Sequence, residues 1–451
     1  MNVSVDFEKT VRPMKPLHGV NNAPMRLNEP QREFQEAGIP FVRTHDTAGV
    51  YGGAHFVDIP NLFPNFDADE NEPASYDFAL TDAYLKPLVE AGAEPFYRLG
   101  ITIENYHKIR AYHIAPPKDF AKWARVCEHV ILHYNEGWAN GFHWNIRYWE
   151  IWNEPENPPM WSGTREQYFQ LYATAATYLR SRFPDIRVGG YAGCGFYAID
   201  NPDATPFYKS FVTWFEEFCA FVREKKLPLD FFSWHLYTTS PERIITHADY
   251  VRGVLDKNGL QQTESIFDEW NFVQPNHDWN AMKEMPGATF VASAFCLMQA
   301  GSVDKAMYYD ALPTRCYCGL FYFPVVTVTP CYYAFQFFNG LYRLENEVAS
   351  ASDEQGVYCC AATDGTRKAI LLVNNSSEAK QVFLKLNGAS EQEFTLHTLD
   401  SSRKFPYDEA VPKVGGIWLS PISVCLLDND AHSSAASRKD QGHAGLEDNQ
   451  E

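Results

Sequence analysis

Short apolar runs alternate with amphipathic helical segments from about residue 17 to residue 310. Each run is rich in aliphatic and aromatic residues and is bounded by glycine, proline or polar residues, which is typical of buried strands. Because neighbouring parallel strands need a crossover connection, the regular alternation of strand and helix predicts a parallel sheet. The predicted strands cover residues 17–20, 39–43, 94–99, 146–152, 186–192, 229–237, 265–271 and 303–310.

Capping residues mark several of the predicted helix ends. Thr164 and Gln167 form a capping pair ahead of a helix that Pro184 ends. Ser240-Pro241 is an N-cap followed by a first-turn proline, and Gly259 ends that helix. The predicted helices lie near 30–37, 78–91, 118–136, 164–182, from 206 past 222, between 240 and 259, and around 288–300.

Eight strands with helices between them predict an α/β fold, a (β/α)8 TIM barrel over residues 17–344. A doubly wound sheet would show the same alternation of strands and helices. That fold commonly carries a G-x-G-x-x-G motif after its first strand, and this chain has none there. The sequence therefore favours the barrel.

Beyond residue 345 the pattern changes to short β-rich runs separated by turn signals such as Asp364-Gly365 and Asn387-Gly388. We expect an all-β sandwich over 345–428 at the C-terminal side of the barrel. The alternating N-terminal segment 1–16 could join this sandwich as a strand. Residues 429–451 are polar and poor in apolar side chains, which predicts a disordered tail.

Composition excludes several classes of function. The 38 Lys and Arg residues against 57 Asp and Glu give a net charge of −19, which argues against a nucleic-acid or anionic-membrane partner. No apolar stretch reaches the ~18 residues of a membrane span, and the N-terminus lacks the features of a signal peptide. The ten cysteines match no zinc spacing and are too sparse for a disulfide scaffold, so we expect free thiols and a cytoplasmic location.

Two glutamates lie at the ends of strands on opposite sides of the predicted barrel. Glu154 follows the fourth strand in YWEIWNEPEN, and Glu269 ends the seventh strand in FDEWN. Because the sites of β/α barrels lie at the C-terminal ends of the strands, both side chains are expected to face each other over one bound group. Two opposed carboxyls suit glycoside hydrolysis, in which one protonates the departing oxygen and the other attacks or guides water to the anomeric carbon. Asn153 and Pro155 complete a W-N-E-P tetrad around Glu154, which is far more specific than a lone acid.

These motifs resemble those of the 4/7 clan of retaining glycosidases, and within it glycoside hydrolase family 39, the β-xylosidase and α-L-iduronidase family. The resemblance covers roughly residues 15–428 and implies a retaining glycosidase that works by double displacement without a cofactor. Besides W-N-E-P and E-W-N, the runs that follow the family's order are FVRTHD, EPFYRLG, VGGYAG, DFFSWHLY and TPCYYAFQFFNGL.

The resemblance also implies roles for individual residues. Glu154 matches the acid/base, and Glu269 matches the nucleophile. Asn153 matches the residue that holds the sugar 2-hydroxyl. His235 and Tyr237 match groups that line the sugar subsite and contact the nucleophile.

Three further positions lie at the end of the second predicted strand or just after it. Arg43 and His45 match the family's R-x-H pair, and a cation near Glu269 would favour the ionised form of that acid. Asp46 is either a sugar contact or a loop cap, and the sequence leaves both open.

Two further expectations concern the surroundings of Glu154 and the aromatic ring that stacks on the sugar. Glu154 is expected to stay protonated if it lies away from cations and against Trp152 or Trp161. The family usually has Tyr-Trp at strand eight, where this chain has Tyr308-Tyr309. We therefore include Tyr309 among the substrate-binding residues and expect a different stacking floor.

We expect exo action on terminal β-xyloside-type residues of short oligosaccharides or aryl glycosides. α-L-iduronide, β-glucoside and arabinoside specificity remain alternatives, and Lys283 or Arg315 could bind the carboxylate of a uronic acid. A non-catalytic sugar-binding barrel and a transglycosylase that uses the same two acids are also alternatives. No H-x-H or H-x-x-x-H spacing involves His45 or His235, so no metal is expected. The sequence leaves the oligomeric state open.

Overall fold

A computed structural model describes residues 1–24, 30–45, 55–102, 114–412 and 415–430. The candidate residue Asp46 and the tail from residue 431 onward lie outside the described residues. Among the described residues, no helix combines the length and the apolar character needed to cross a membrane.

Strand β1 (Asn2–Pro13) belongs to the accessory domain, and the next eight strands close into a parallel barrel. The predicted fold class is confirmed. Because all eight strands run in the same direction, their C-terminal ends meet at one mouth. The barrel strands are β2 (Gly19–Asn21), β3 (Phe41–Thr44), β4 (Glu94–Leu99), β5 (Tyr148–Ile151), β6 (Arg187–Gly193), β7 (Phe231–Thr238), β8 (Glu264–Phe272) and β9 (Lys305–Tyr308).

Helices connect the barrel strands, and local chemistry sets several of their ends. The Thr164 side chain accepts a hydrogen bond from the Gln167 N–H in a complete capping box. Pro206 and Pro241 each lie in a first turn, where no N–H is needed. The helices are α1 (Gln31–Glu36), α2 (Ile59–Leu62), α3 (Ala79–Glu90), α4 (Phe120–Glu136), α5 (Arg165–Arg182), α6 (Pro206–Lys225), α7 (Pro241–Lys257), α8 (Met285–Ala300) and α9 (Pro330–Tyr342).

The barrel interior is layered along its axis. Six strands each contribute one large apolar side chain to a plug at the N-terminal end, namely Phe41, Phe96, Tyr148, Phe231, Ile266 and Met307. Because side chains on one face of a strand recur every two residues, the next inward layer lies two positions further on each strand. That layer is polar and buried, and consists of Arg43, Arg98, Glu150, Ser233 and Asp268.

The accessory domain is one curled nine-stranded sheet in the order β15-β14-β17-β12-β11-β10-β1-β13-β16. Strand β1 pairs antiparallel with β10 and parallel with β13, so the N-terminus lies within this sheet. One face of β12 packs into the core of the sheet, and the other packs against the barrel side. The remaining strands are β10 (Asn346–Ser352), β11 (Val357–Thr363), β12 (Lys368–Asn374), β13 (Lys380–Asn387), β14 (Thr395–Leu399), β15 (Tyr407–Ala410), β16 (Ile417–Leu419) and β17 (Ser423–Asp428).

Candidate active site

Glu154 is held at the barrel mouth by a short, sharply turned segment after β5. Trp152 has φ 76° and Glu154 has φ 45°, both in the left-handed region that side chains other than glycine rarely adopt. The Glu154 N–H donates to the Ala192 carbonyl at 3.0 Å, which anchors this turn to the neighbouring strand. Such strain persists only where the surrounding structure enforces it, and it is common at functional sites.

A bulge in β8 brings two consecutive acids into the barrel. Trp234 on β7 is opposite Phe267, and the next residue, His235, is opposite Glu269, so Asp268 is the extra residue. Both acids consequently reach the Arg43 guanidinium, Asp268 at 2.9 Å and Glu269 at 3.1 Å.

Glu154, Glu269 and His235 converge at the mouth. One oxygen of each carboxyl and one ring nitrogen of His235 all lie within 4.8 Å of one another. Nδ1 of His235 lies 2.8 Å from Oε1 of Glu154. The acids are only 9% and 7% exposed, so a group bound between them would be shielded from bulk water.

Four side chains surround the Glu269 carboxyl. The Tyr237 hydroxyl donates to Oε1 at 2.6 Å, and Arg43 Nη1 donates to Oε2 at 3.1 Å. Nε2 of His45 and Nε2 of His235 each lie 3.7 Å from Oε2. The arrangement directs donors at one carboxylate, which suits an ionised nucleophile.

Burial and the facing acid act on the protonation of the pair. Burial raises the pKa of Glu269 and so does Glu154, while His235 and Arg43 oppose the rise. Burial also acts on Glu154, but hydrogen bonds from His235 and Asn157 lower its pKa. That lowering holds when His235 donates through Nδ1. When Nδ1 accepts instead, the same contact requires a protonated Glu154.

The expectation for a protonated Glu154, a position away from cations and against Trp152 or Trp161, stays a prediction. The Trp152 indole donates to the Met160 carbonyl and the Trp161 indole to the Thr164 carbonyl. The side chains of His235 and Asn157 both contact the Glu154 carboxyl.

Arg43 connects the buried layer to the mouth. Its Nη2 donates to Oδ1 of Asn153 at 2.6 Å, and its Nη1 also donates to Oδ1 of Asn21 at 3.1 Å. Its Nε donates to Oε2 of Glu150 at 2.8 Å. Because the Asn153 oxygen accepts from Arg43, the amide nitrogen is left as the group that can donate to a ligand.

His45 is a neutral donor in this site. Nε of Arg98 donates to Nδ1 of His45 at 3.2 Å, so the ring hydrogen lies on Nε2, which faces Glu269. Burial lowers the pKa of His45 well below its usual range, and Arg43 and Arg98 lower it further.

Aromatic rings extend outward from Glu269. Tyr309 lies 6.2 Å from the His45 ring and 5.3 Å from the Tyr317 ring, measured between centroids. Tyr317 also lies 5.7 Å from Tyr237 and 4.5 Å from Trp279. These rings offer flat apolar surface beside the acids, of the kind that C–H faces of sugars contact.

Four buried residues of the site are not predicted as site residues by any sequence motif. Glu150, Asp268, Arg98 and Asn21 all contact the predicted residues but were not singled out. The available signal was a charged side chain within an apolar run, as in Trp149-Glu150-Ile151, since such charges are rarely buried unless paired. The structure brings together the described catalytic and substrate-binding candidates, which are Arg43, His45, Asn153, Glu154, His235, Tyr237, Glu269 and Tyr309.

The convergence of two acids and one imidazole has the spacing of a metal site but not its charge balance. The Arg43 guanidinium at 3.1 Å from Glu269 would repel a divalent cation. The donors around Glu269 thus favour a role of the two carboxyls in nucleophilic and acid–base catalysis over metal binding.

Comparison with known proteins gives the relationships of this chain. The profile of Glycosyl hydrolases family 39 matches residues 2–276, which is more than half of the chain. A β-xylosidase of Geobacillus stearothermophilus is 27% identical over 252 residues, covering 53% of this chain and 44% of that protein. A β-xylosidase of Caldicellulosiruptor saccharolyticus is 30% identical over 174 residues, covering 37% and 32%. The chain thus aligns with less than half the length of these relatives.

Two solved structures share the fold over nearly their whole length. A glucosidase from Croceicoccus marinus superposes with a TM-score of 0.75 at 22% identity, covering 95% of this chain and 98% of that one. A monomeric β-xylosidase from Caulobacter crescentus CB15 superposes with a TM-score of 0.67 at 17% identity, covering 94% and 98%. The family match and the shared fold agree, and the chain belongs to glycosyl hydrolase family 39.

Proposed function

We propose that the protein is a retaining exo-glycosidase that hydrolyses terminal β-xyloside-type residues of short oligosaccharides or aryl glycosides. The observation that carries this proposal is the approach of a Glu154 and a Glu269 carboxyl oxygen to within 4.8 Å. Retaining glycosidases hold their two carboxyls about 5–5.5 Å apart, whereas inverting enzymes leave about 6.5–9.5 Å for a water molecule.

The proposed reaction has two steps. Glu269 attacks the anomeric carbon while Glu154 protonates the departing oxygen, which forms a covalent glycosyl-enzyme. Glu154 then takes a proton from an incoming water, and that water releases the sugar and frees Glu269. Formation of the ester removes the charge of Glu269, which favours ionisation of Glu154 at the moment when a base is needed.

The other site residues have supporting roles in this proposal. Arg43 and Tyr237 orient Glu269 and stabilise its negative charge, and His45 donates from the opposite side. Asn153, held by Arg43, binds the sugar 2-hydroxyl. Tyr309 and its neighbouring rings supply the apolar wall of the sugar subsite.

The hydrogen bonds of Lys283, a candidate cation for a uronic acid, favour xyloside specificity over uronide specificity. Lys283 is 4% exposed, and its Nζ donates to the carbonyls of Thr314 and Arg315 at 3.4 and 3.1 Å. Its ammonium therefore ties two loops together instead of facing a ligand carboxylate. We also retain the proposal of a cytoplasmic location, which the ten free cysteines favour.

A panel of nitrophenyl glycosides tests the proposal. We expect the β-xyloside to have a higher kcat/KM than the β-glucoside, α-L-arabinofuranoside and α-L-iduronide, with β-xylose as the first product seen by proton NMR. First appearance of the α-anomer would instead indicate inversion. Failure to turn over any glycoside, with binding retained, would identify a non-catalytic sugar-binding barrel, and dominant transfer products would identify a transglycosylase.

Glu154→Ala is expected to separate substrates by their need for acid assistance. The glycosylation rate on xylobiose should fall by about 10²–10⁴-fold, the usual contribution of a general acid, while a dinitrophenyl xyloside should lose much less. Pre-steady-state bursts on both substrates measure the difference. Glu156→Gln is the matched control, because burial raises the pKa of Glu156 and a neutral acid is replaced by a neutral amide. An equal loss on both substrates would contradict the acid/base role.

A further inference from the structure

Two buried acids lie directly beneath the pair that we assign to catalysis. Glu150 on β5 and Asp268 on β8 are fully buried, and each lies within 2.9 Å of Arg43. The reaction outlined above uses neither of them. Their role is a question separate from that of Glu154 and Glu269.

The charges around Arg43 do not balance if every acid is ionised. One guanidinium faces three carboxyls, those of Glu150, Asp268 and Glu269, at 2.8, 2.9 and 3.1 Å. Uncompensated charge in a dry interior is costly, so a proton in this cluster is favoured.

The hydrogen-bond pattern indicates which acid holds that proton. The Arg43 Nε hydrogen is directed at Oε2 of Glu150, although Oδ2 of Asp268 is almost as near. Both oxygens of Asp268 and Oε1 of Glu150 are buried without a hydrogen-bond donor among the described residues. A proton on Asp268 directed at Glu150 would satisfy both acids at once, since a carboxylic acid donates and a carboxylate accepts.

We propose that Asp268 is a neutral carboxylic acid that donates to Glu150 and thereby positions His235 against the acid/base. The directions of the pKa shifts agree with this assignment. Burial and the Glu150 carboxylate raise the pKa of Asp268 well above its usual range. Burial opposes ionisation of Glu150 as well, but Arg43 and hydrogen bonds from Asp268 and Ser233 lower its pKa.

Asp268 reaches the catalytic pair through His235. Nε2 of His235 is buried, and two acid oxygens lie near it, Oδ1 of Asp268 at 3.6 Å and Oε2 of Glu269 at 3.7 Å. A ring hydrogen on Nε2 would face these two acid oxygens, and we assign that tautomer. Nδ1 is then an acceptor 2.8 Å from Glu154, which matches a protonated acid/base. Asp268 is therefore a positioning residue, and this role rests on the function proposed above for Glu154.

Arg98 is paired with the Asp58 carboxylate, and the other titratable groups packed around the cluster add no charge near neutral pH. His45 is neutral because burial and two arginines lower its pKa. Burial raises the pKa of the remaining neighbours, which are Tyr237, Cys194 and Glu156. The charge balance is thus decided by Arg43, the two buried acids and the catalytic pair.

The test compares the pH profiles of kcat/KM on a nitrophenyl xyloside for wild type, Asp268→Asn and Asp268→Ala. Asp268→Asn replaces one neutral donor with another of the same shape, so we expect kcat/KM within about threefold of wild type and both limbs unmoved. Infrared difference spectra of the two proteins should show that the variant loses one protonated-carboxyl carbonyl band. Asp268→Ala removes the acceptor for His235, and its alkaline limb should move down by about one pH unit as Glu154 loses its proton earlier.

Each outcome decides the proposal. If Asp268 is ionised, Asp268→Asn removes a negative charge beside Glu269, and the acid limb of the pH profile moves down by about two pH units. That result would overturn the proposal. An unmoved alkaline limb in folded Asp268→Ala would overturn it as well. Glu264→Gln is the control, an acid-to-amide change at the far end of the same strand. Trapping with a 2-fluoro xyloside separates failure of the proposed function from failure of the proposed role of Asp268. Absence of label on wild-type Glu269 would refute the proposed function itself, whereas a labelled enzyme with shifted limbs refutes only the role of Asp268.

Discussion

Glu269→Ala is expected to lower kcat on nitrophenyl β-xyloside by on the order of 10⁴-fold or more, because it removes the carboxylate that we propose forms the covalent intermediate. Tyr237, His45 and Arg43 all direct donors at this one carboxyl. Loss of the carboxyl leaves these donors in place around an empty space of carboxylate size. Azide is a small anionic nucleophile, and we expect it to restore turnover and to release the glycosyl azide of inverted configuration.

The same variant should be at least as stable as wild type. Burial and the facing acid raise the pKa of Glu269, so its ionised form is held at a cost to the folded state. Thermal unfolding of Glu269→Ala at neutral pH therefore separates lost catalysis from lost folding. Glu269→Asp is the matched comparison, since it keeps the charge but withdraws it by one methylene. Activity near the wild-type level without azide would exclude Glu269 as the nucleophile.

The barrel was predictable because its strands and helices carry strong local signals. Buried apolar runs of strand length alternate with capped amphipathic helices, and the cap at Thr164 is present as expected. Strand β15 was not predicted, because its sequence YDEA is largely exposed and forms an edge that pairs with β14. Such edge strands lack the alternation that sequence patterns detect.

The site was predictable only where a residue is defined by its own short motif. Glu154 within W-N-E-P and Glu269 within E-W-N could be placed at strand ends from the sequence. Asp268 could not, since in a regular strand consecutive side chains point to opposite faces. The bulge that turns both acids inward depends on pairing with β7, which is not local in the sequence. The contact between Glu154 and His235 could not be predicted for the same reason, because the two residues are 81 positions apart in the sequence.

Arg43→Met is expected to be the most destabilising single substitution in the barrel interior, at about 3–5 kcal/mol of unfolding free energy near neutral pH. It leaves Glu150, Asp268 and Glu269 buried without their cation. Arg147→Met is the matched control, since Arg147 pairs with Glu94 on the exposed rim of the barrel bottom, where such pairs contribute about 0–1 kcal/mol. Urea unfolding of the two variants gives the comparison.

The loss of unfolding free energy in Arg43→Met should be larger near neutral pH than in acid. Arg43 lowers the pKa of Glu150 in the folded protein, so this pair stabilises the fold above the ordinary glutamate pKa and ceases to do so as pH falls through the folded value. The gap between wild type and Arg43→Met is therefore expected to be widest near neutral pH and to narrow below about pH 4. A gap independent of pH would mean that packing of the side chain, and not its charge, accounts for the loss.

Arg43→Lys tests geometry at constant charge. One ammonium cannot donate to Asn21, Asn153 and the acids together, so kcat should fall by on the order of 10²-fold even where the fold is retained.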